Sequence, residues 1–286
     1  MLINQKTELK NSVFFIIIII NVIIRKTLDD TEVRWLNERQ RSKLVVETCL
    51  LAGKIMIENG SEMVRVTDTI DRISRNAGAT EARAYVTLTG IIMSATPDMG
   101  SQVTAIDKRT FDLEKVSTVN DYSRQFADKK ISLGEFYRRL KKMDKDVKPF
   151  PFWLQMIGAF MVSSTLEVVF RSNYTDFWAA GFVGMMGWCI YCLTDHYTDI
   201  RFLNEFIAAI CIGFMSILII RAGIAKSADD LIIGGLMPLV PGVPITNAVR
   251  DTLSGNLVSG PSRGIEAIMS ACALGFGVAM AIKILG

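Results

Sequence analysis

Residues able to do chemistry are few in this 286-residue chain, and their placement matters more than their number. The densest pattern is Leu236-Met237-Pro238-Leu239-Val240-Pro241-Gly242-Val243-Pro244, followed at once by Asn247, Arg250 and Asp251. Three prolines in a short apolar stretch remove backbone donors and clash with the preceding turn, so the spacing predicts an interrupted helix. Backbone groups freed in this way cannot face lipid; they must be buried in protein or line a wet cavity. Broken helices at mid-depth recur in transporters as solute and ion sites. Arg250 can hold a carboxylate through two parallel hydrogen bonds, and an arginine snorkelling at a membrane edge beside Asp251 is an equally good reading. Glu167, Glu205 and Glu266 lie inside or at the edge of apolar segments, where ionisable groups are functional candidates by default. Each also stands near enough to a segment end to reach water.

Other chemistries find little support. The single histidine, His196, follows a long apolar run, and residues 1–149 contain none. Histidine-assisted nucleophiles and histidine metal sites are therefore closed to the first half. The five cysteines, at 49, 189, 192, 211 and 272, form neither a disulfide framework nor a zinc pattern. Cys189 and Cys192 sit beside Trp188 and Tyr191 in an apolar run and read as packing. No glycine loop for phosphate is present, so no cofactor and no metal is expected. Glu58, Glu62 and Asp68 leave carboxylate catalysis open, but capping and surface roles are more economical, and the chain does not read as an enzyme.

The elements that must position these residues fall into two halves of different composition. Residues 1–149 hold 25 Lys/Arg and 20 Asp/Glu, whereas residues 150–286 hold 7 and 9, too few to present a watery surface. That balance excludes a wholly soluble protein and leaves no electrostatic footprint for nucleic acid. The expected fold is a membrane protein: a small α+β soluble N-terminal domain, residues 41–149, followed by an α-helical bundle of about five transmembrane helices, residues 150–286. Apolar segments at about 152–170, 177–194, 203–221, 231–249 and 265–284 are each near the length that spans a bilayer. Arg138, Arg139, Lys141, Lys142, Lys145 and Lys148 precede Pro149 and put the N-terminal domain on the cytoplasmic side. Residues 1–40, with a short apolar run at Val13–Ile24, are set aside as an N-terminal extension of doubtful status.

Within residues 41–149, the pattern from Ser42 to Ile57 is helical and stops at Asn59-Gly60. Ser61 is the expected N-cap of a second helix, with Glu62 in its first turn, Val66, Ile70, Ile73 and Ala77 as its buried stripe, and Gly78 closing it. Tyr85–Met93 reads as one strand, paired through a Pro97–Gly100 turn with a second strand at Gln102–Ile106. A third short strand is expected near Phe111–Val116, before helices at about 118–129 and 133–145.

Two separated motifs now stand out. One is Ile57-Glu58-Asn59-Gly60-Ser61-Glu62-Met63-Val64-Arg65-Val66; the other is Pro238-Leu239-Val240-Pro241-Gly242, with Asn247-Ala248-Val249-Arg250-Asp251, Ser259-Gly260, Arg263 and Glu266-Ala267. In this order they resemble the threonine/serine exporter family over about residues 44–286. The resemblance implies a multi-pass plasma (inner) membrane exporter of small polar carboxylate-bearing metabolites such as threonine and serine. In related two-component systems the solute is a dicarboxylate such as succinate. Longer members look like this chain fused to a second membrane module. A small multi-spanning companion subunit is therefore implied as a partner beside the lipid bilayer, and a homo-oligomer is left open. The candidates for binding or translocation are Pro238, Pro241, Gly242, Asn247, Arg250, Asp251, Glu266 and Glu167; Glu58, Gly60, Glu62 and Arg65 mark the soluble-domain motif. A membrane-tethered enzymatic or regulatory domain is the alternative, and it predicts that residues 41–149 keep their activity alone.

Overall fold

The computed structural model describes residues 38–96, 100–145, 150–171, 174–198 and 200–285. The N-terminal extension up to residue 37, the turn at 97–99, and Lys148 and Pro149 lie outside the described residues. The chain divides into two compact units. One contains the described residues up to Asn59 together with Arg65–Asp144. The other contains Gly60–Val64 and the described residues from Lys145 onward.

The first unit opens with helix α1, over residues 38–58. Helix α2 (Met63–Asn76) buries the expected stripe of Val66, Ile70 and Ile73, with Ala77 just beyond it. Gly78, at φ +85°, supplies the left-handed residue that ends it. Gly53 brings α1 close to its neighbours: a Cβ there would stand 2.6 Å from Ile91 and 3.1 Å from Ile70. An antiparallel sheet of β1 (Arg83–Val86), β2 (Gly90–Ser94) and β3 (Gln102–Ala105), in that order, turns Ile91 and Met93 inward and leaves Ile92 and Val103 exposed.

Two sequence expectations fail here for local reasons. The single strand at Tyr85–Met93 is instead a tight hairpin. The Thr87 hydroxyl donates to the Gly90 carbonyl (2.8 Å) and accepts from its N–H (3.1 Å), folding β1 back on β2. The strand expected at Phe111–Val116 is helical from Leu113. Asp112 caps this helix, α3 (Leu113–Ala127), by accepting from the Lys115 N–H at 3.1 Å, and the cap outweighs the β-like composition. Helix α4 (Leu133–Lys145) adds the fully buried Phe136 and Leu140.

In the second unit, α5 (Phe152–Arg171), α6 (Phe177–Tyr197), α7 (Arg201–Arg221) and α10 (Ser259–Leu285) are each long and apolar enough to cross a bilayer. The fourth expected segment, 231–249, is two short helices, α8 (Ala228–Leu236) and α9 (Gly242–Leu253). Small residues set the helix spacing. A Cβ on Gly184 would fall 1.8 Å from Ser163 Oγ and one on Gly181 2.1 Å from Ser164 Oγ, so α5 and α6 come closest where glycines face serines. Gly277 does the same for α10, where a Cβ would meet the Phe206 carbonyl oxygen at 2.6 Å. Between the helices Val183, Ala208, Ala209, Ile212, Leu239 and Leu274 form a buried apolar cluster.

Candidate functional site

The interruption between α8 and α9 follows from its prolines. Pro238 stands just after the last helical residues of α8, where the Met237 N–H already reaches back to Gly234 O (3.2 Å). Pro241 is the N-cap of α9 and Pro244 lies in its first turn, where a missing N–H leaves no helix bond unmade. Between them the Leu239 and Val240 N–H groups both turn back to Leu236 O, at 2.8 and 3.2 Å. Leu239 is buried against Val183 of α6, Ala208 and Ile212 of α7, and Leu274 of α10, so protein encloses the break on this side. Gly242 opens α9 with nothing within 4 Å of where a Cβ would stand, and its glycine is not demanded by space.

Four residues that follow the break grip the short segment Gly60–Val64. Asn247 donates from Nδ2 to the Gly60 carbonyl (2.9 Å), and Arg263 donates from both Nη atoms to the Ser61 carbonyl (3.2 and 3.1 Å). The Met63 N–H, at the start of α2, donates to Asp251 Oδ1 (2.9 Å), and Asp251 Oδ2 lies 3.6 Å from Arg263 Nη1. Asn247, Asp251 and Arg263 are all buried, so these bonds form in a low-dielectric environment where an unmade one is costly. Gly60, at φ +88°, provides the left-handed turn that presents the two carbonyls. The fourth residue, Arg250, differs: its Nη1 pairs with Glu62 Oε1 at 2.9 Å, but its side chain is 64% exposed.

The expected N-cap is corrected by this arrangement. Helix α2 begins at Met63, which moves the cap position to Glu62, and the Ser61 hydroxyl donates to the Glu62 carbonyl at 3.4 Å. Arg250 and Asp251, adjacent in sequence, do not pair with each other. Adjacent helical residues point about 100° apart, so Asp251 turns inward to Arg263 while Arg250 turns outward to Glu62.

The remaining candidates are scattered. Glu167 on α5 is buried beside Gly234 of α8, whose Cβ would stand 3.1 Å from that of Glu167, and Glu205 on α7 is equally buried; neither reaches water as a segment-end residue would. Glu266 on α10 is half-buried. In the first unit Glu58 ends α1 with its carboxylate 3.9 Å from Lys54 Nζ. Burial pushes the Glu58 carboxyl above its ordinary range, with Lys54 opposing that shift. Arg65 lines an open groove of about 460 Å³ with Ser117, Asn120, Asp121 and Arg124. Burial pushes the Cys49 thiol up to about 12, so it stays protonated and unreactive. Among the described residues no cluster of metal-binding side chains occurs. The gripping role of Arg263 was not legible as such, although its type and its place in the second motif were visible.

Four long apolar helices and a proline-broken pair packed with them define a multi-pass membrane protein. The chain belongs to the threonine/serine exporter family: the family described as "Putative threonine/serine exporter" matches residues 47–285. It is 21% identical to the "Probable succinate transporter subunit YjjP" of Klebsiella aerogenes, over 87% of this chain and 97% of that one. No solved structure matches.

Proposed function

We propose that the chain is one subunit of a two-component exporter for small carboxylate-bearing metabolites in the plasma membrane. In this reading α8 and α9 together make a fifth crossing, and the break between them lines the path. The observation that carries it is this interruption, packed on one side against α6, α7 and α10 through Leu239 and followed at the end of α9 by an exposed arginine. The basic residues Arg138, Arg139, Lys141, Lys142 and Lys145 on α4 favour a cytoplasmic first unit, and in this reading Arg250 lies at the inner mouth. There Arg250 receives the solute carboxylate in exchange for Glu62, while Asn247, Asp251 and Arg263 remain committed to the 60–64 segment. An exposed ion pair holds Glu62 weakly, by about 0.2–1 kcal/mol, so the exchange is accessible. The family description favours threonine and serine as solutes, and the name of the Klebsiella relative favours a dicarboxylate and a companion subunit.

The test is counterflow of labelled threonine, serine and succinate in liposomes carrying this chain, with and without a small multi-spanning companion. Flux that needs both chains and one of these solutes is expected. Arg250→Ala should lower flux about tenfold or more with membrane abundance unchanged, because a charge-assisted contact is worth about 1.5–3 kcal/mol. Absence of flux for every solute, with both chains folded and inserted, overturns the reading; equal losses of flux and abundance in Arg250→Ala make the residue structural.

A further inference from the structure

The buried carboxylate of Glu205 is held in an unusual way. One oxygen, Oε1, accepts from Arg201 Nε at 3.0 Å, and the other, Oε2, accepts from the Ser270 hydroxyl of α10. Glu205 is 2% exposed and Ser270 1%, whereas the Arg201 side chain is 34% exposed. The carboxylate thus joins a wholly buried hydroxyl to a cation that reaches the edge of the protein. Ala208, Ala209 and Ile212 follow Glu205 at three, four and seven residues, and Leu274 follows Ser270 at four, so the same faces of α7 and α10 continue into the apolar cluster around Leu239. Glu205 therefore stands on one side of the apolar cluster against which Leu239 of the break is packed.

The groups around it are polar but arranged with economy. On α7 Asn204 donates to Asp195 Oδ1 of α6 (3.2 Å) and accepts from the Thr198 hydroxyl (2.6 Å). Tyr191 of α6 shares the electrostatic surroundings of Asp195, Arg201 and Glu205. On α10 Glu266 lies one turn before Ser270. Tyr191 and Asp195 of α6 and Arg201 of α7 are thus ionisable groups close to Glu205, and Glu266 shares its helix with Ser270. Arg201 is the cation bonded to its carboxylate.

We propose that Glu205 is the proton-carrying carboxylate of the transport cycle, with Arg201 as its exchangeable counter-charge and Ser270 as its positioning residue. This rests on the exporter reading above. In the resting arrangement the carboxylate is paired with Arg201. When α7 and α10 move and Arg201 swings towards water, a lone buried carboxylate would cost several kcal/mol. It takes one proton from water on the far side of the apolar cluster, forming an O–H bond and becoming neutral. When the Arg201 pair re-forms, that bond breaks and the proton leaves to water on the Arg201 side. One proton crosses per cycle, with no other reactant.

The experiment separates coupling from solute passage. In liposomes carrying both subunits, wild type should show solute counterflow and also flux driven by a pH gradient. Glu205→Gln keeps the size and an oxygen for Ser270 but cannot ionise. It should lose gradient-driven flux about tenfold or more and retain counterflow within about twofold. Ser270→Ala leaves the carboxylate but removes a hydrogen bond to its charged form, so the pH midpoint of driven flux should move up by about half a unit or more. Gradient-driven flux that survives in Glu205→Gln overturns the proposal. So does equal loss of counterflow and driven flux in that variant together with an unmoved midpoint in Ser270→Ala. Wild-type counterflow without any response to a pH gradient overturns the proton assignment alone, whereas absence of wild-type counterflow overturns the exporter reading and this proposal with it.

Discussion

Replacing Asp251 by alanine removes two interactions at once, and the structure fixes their size. Its Oδ1 accepts the Met63 N–H at 2.9 Å, a charged acceptor on a backbone donor, worth about 1.5–3 kcal/mol. Its Oδ2 lies 3.6 Å from Arg263, and breaking a buried pair by deleting one partner costs about 3–5 kcal/mol. The two losses overlap, and Arg263 keeps its bonds to the Ser61 carbonyl, so a net cost of about 3–4 kcal/mol is expected. Asp251→Asn retains an oxygen for Met63 and should cost about half as much. Reversible urea unfolding of the full chain in mild detergent, followed by tryptophan fluorescence, measures both. The double variant Asp251→Ala/Arg263→Met should fall short of the summed single losses by about 1–3 kcal/mol, because the orphaned guanidinium is gone. A cost for Asp251→Ala below about 1 kcal/mol, or strict additivity in the double variant, would refute the argument that these residues hold the 60–64 segment.

Two further predictions concern packing and titration. Gly184→Ala places a methyl 1.8 Å from Ser163 Oγ, forcing α5 and α6 apart, and should lower stability by about 1–3 kcal/mol in the same unfolding assay; an unchanged midpoint would show that the contact yields. Glu58 has a carboxyl raised by burial, so the folded protein holds its proton more tightly than the unfolded chain does. That contribution is fully present below the ordinary carboxylate value and is lost as pH rises through the raised one. Glu58→Gln should therefore match wild type in acid and be the more stable at neutral pH, as melting temperatures across that range would reveal, with the reverse order contradicting the shift.

Local signals were legible in the residues and distant ones were not. The stripe of Val66, Ile70 and Ile73 could be read because helical periodicity is written at three- and four-residue steps. The break after Leu236 could be read because proline acts on its own backbone. The hairpin at Thr87–Gly90 was missed because it depends on one hydroxyl turning back on the main chain, and the start of α3 because the cap at Asp112 competes with β-branched neighbours. Nothing in spacing could show that Asn247, Asp251 and Arg263 reach residues some 190 positions earlier, although both stretches stood out as motifs. The burial of Glu167 and Glu205 was hidden for a related reason. Four residues from a helix end can mean water or core, and only the neighbouring helices decide.

The grip on Gly60–Val64 also sets an order of events during synthesis. The carbonyls of Gly60 and Ser61 leave the ribosome long before Asn247 and Arg263 exist, and until then only water or other partners can satisfy them. The start of α2 therefore reaches its final hydrogen bonding late, after α9 and the first turn of α10 have been made. A nascent chain halted before residue 247 can build much of its N-terminal fold, but the 60–64 turn waits for residues from the far end of the chain. Completion of that turn is a structural record that the last two helices have arrived.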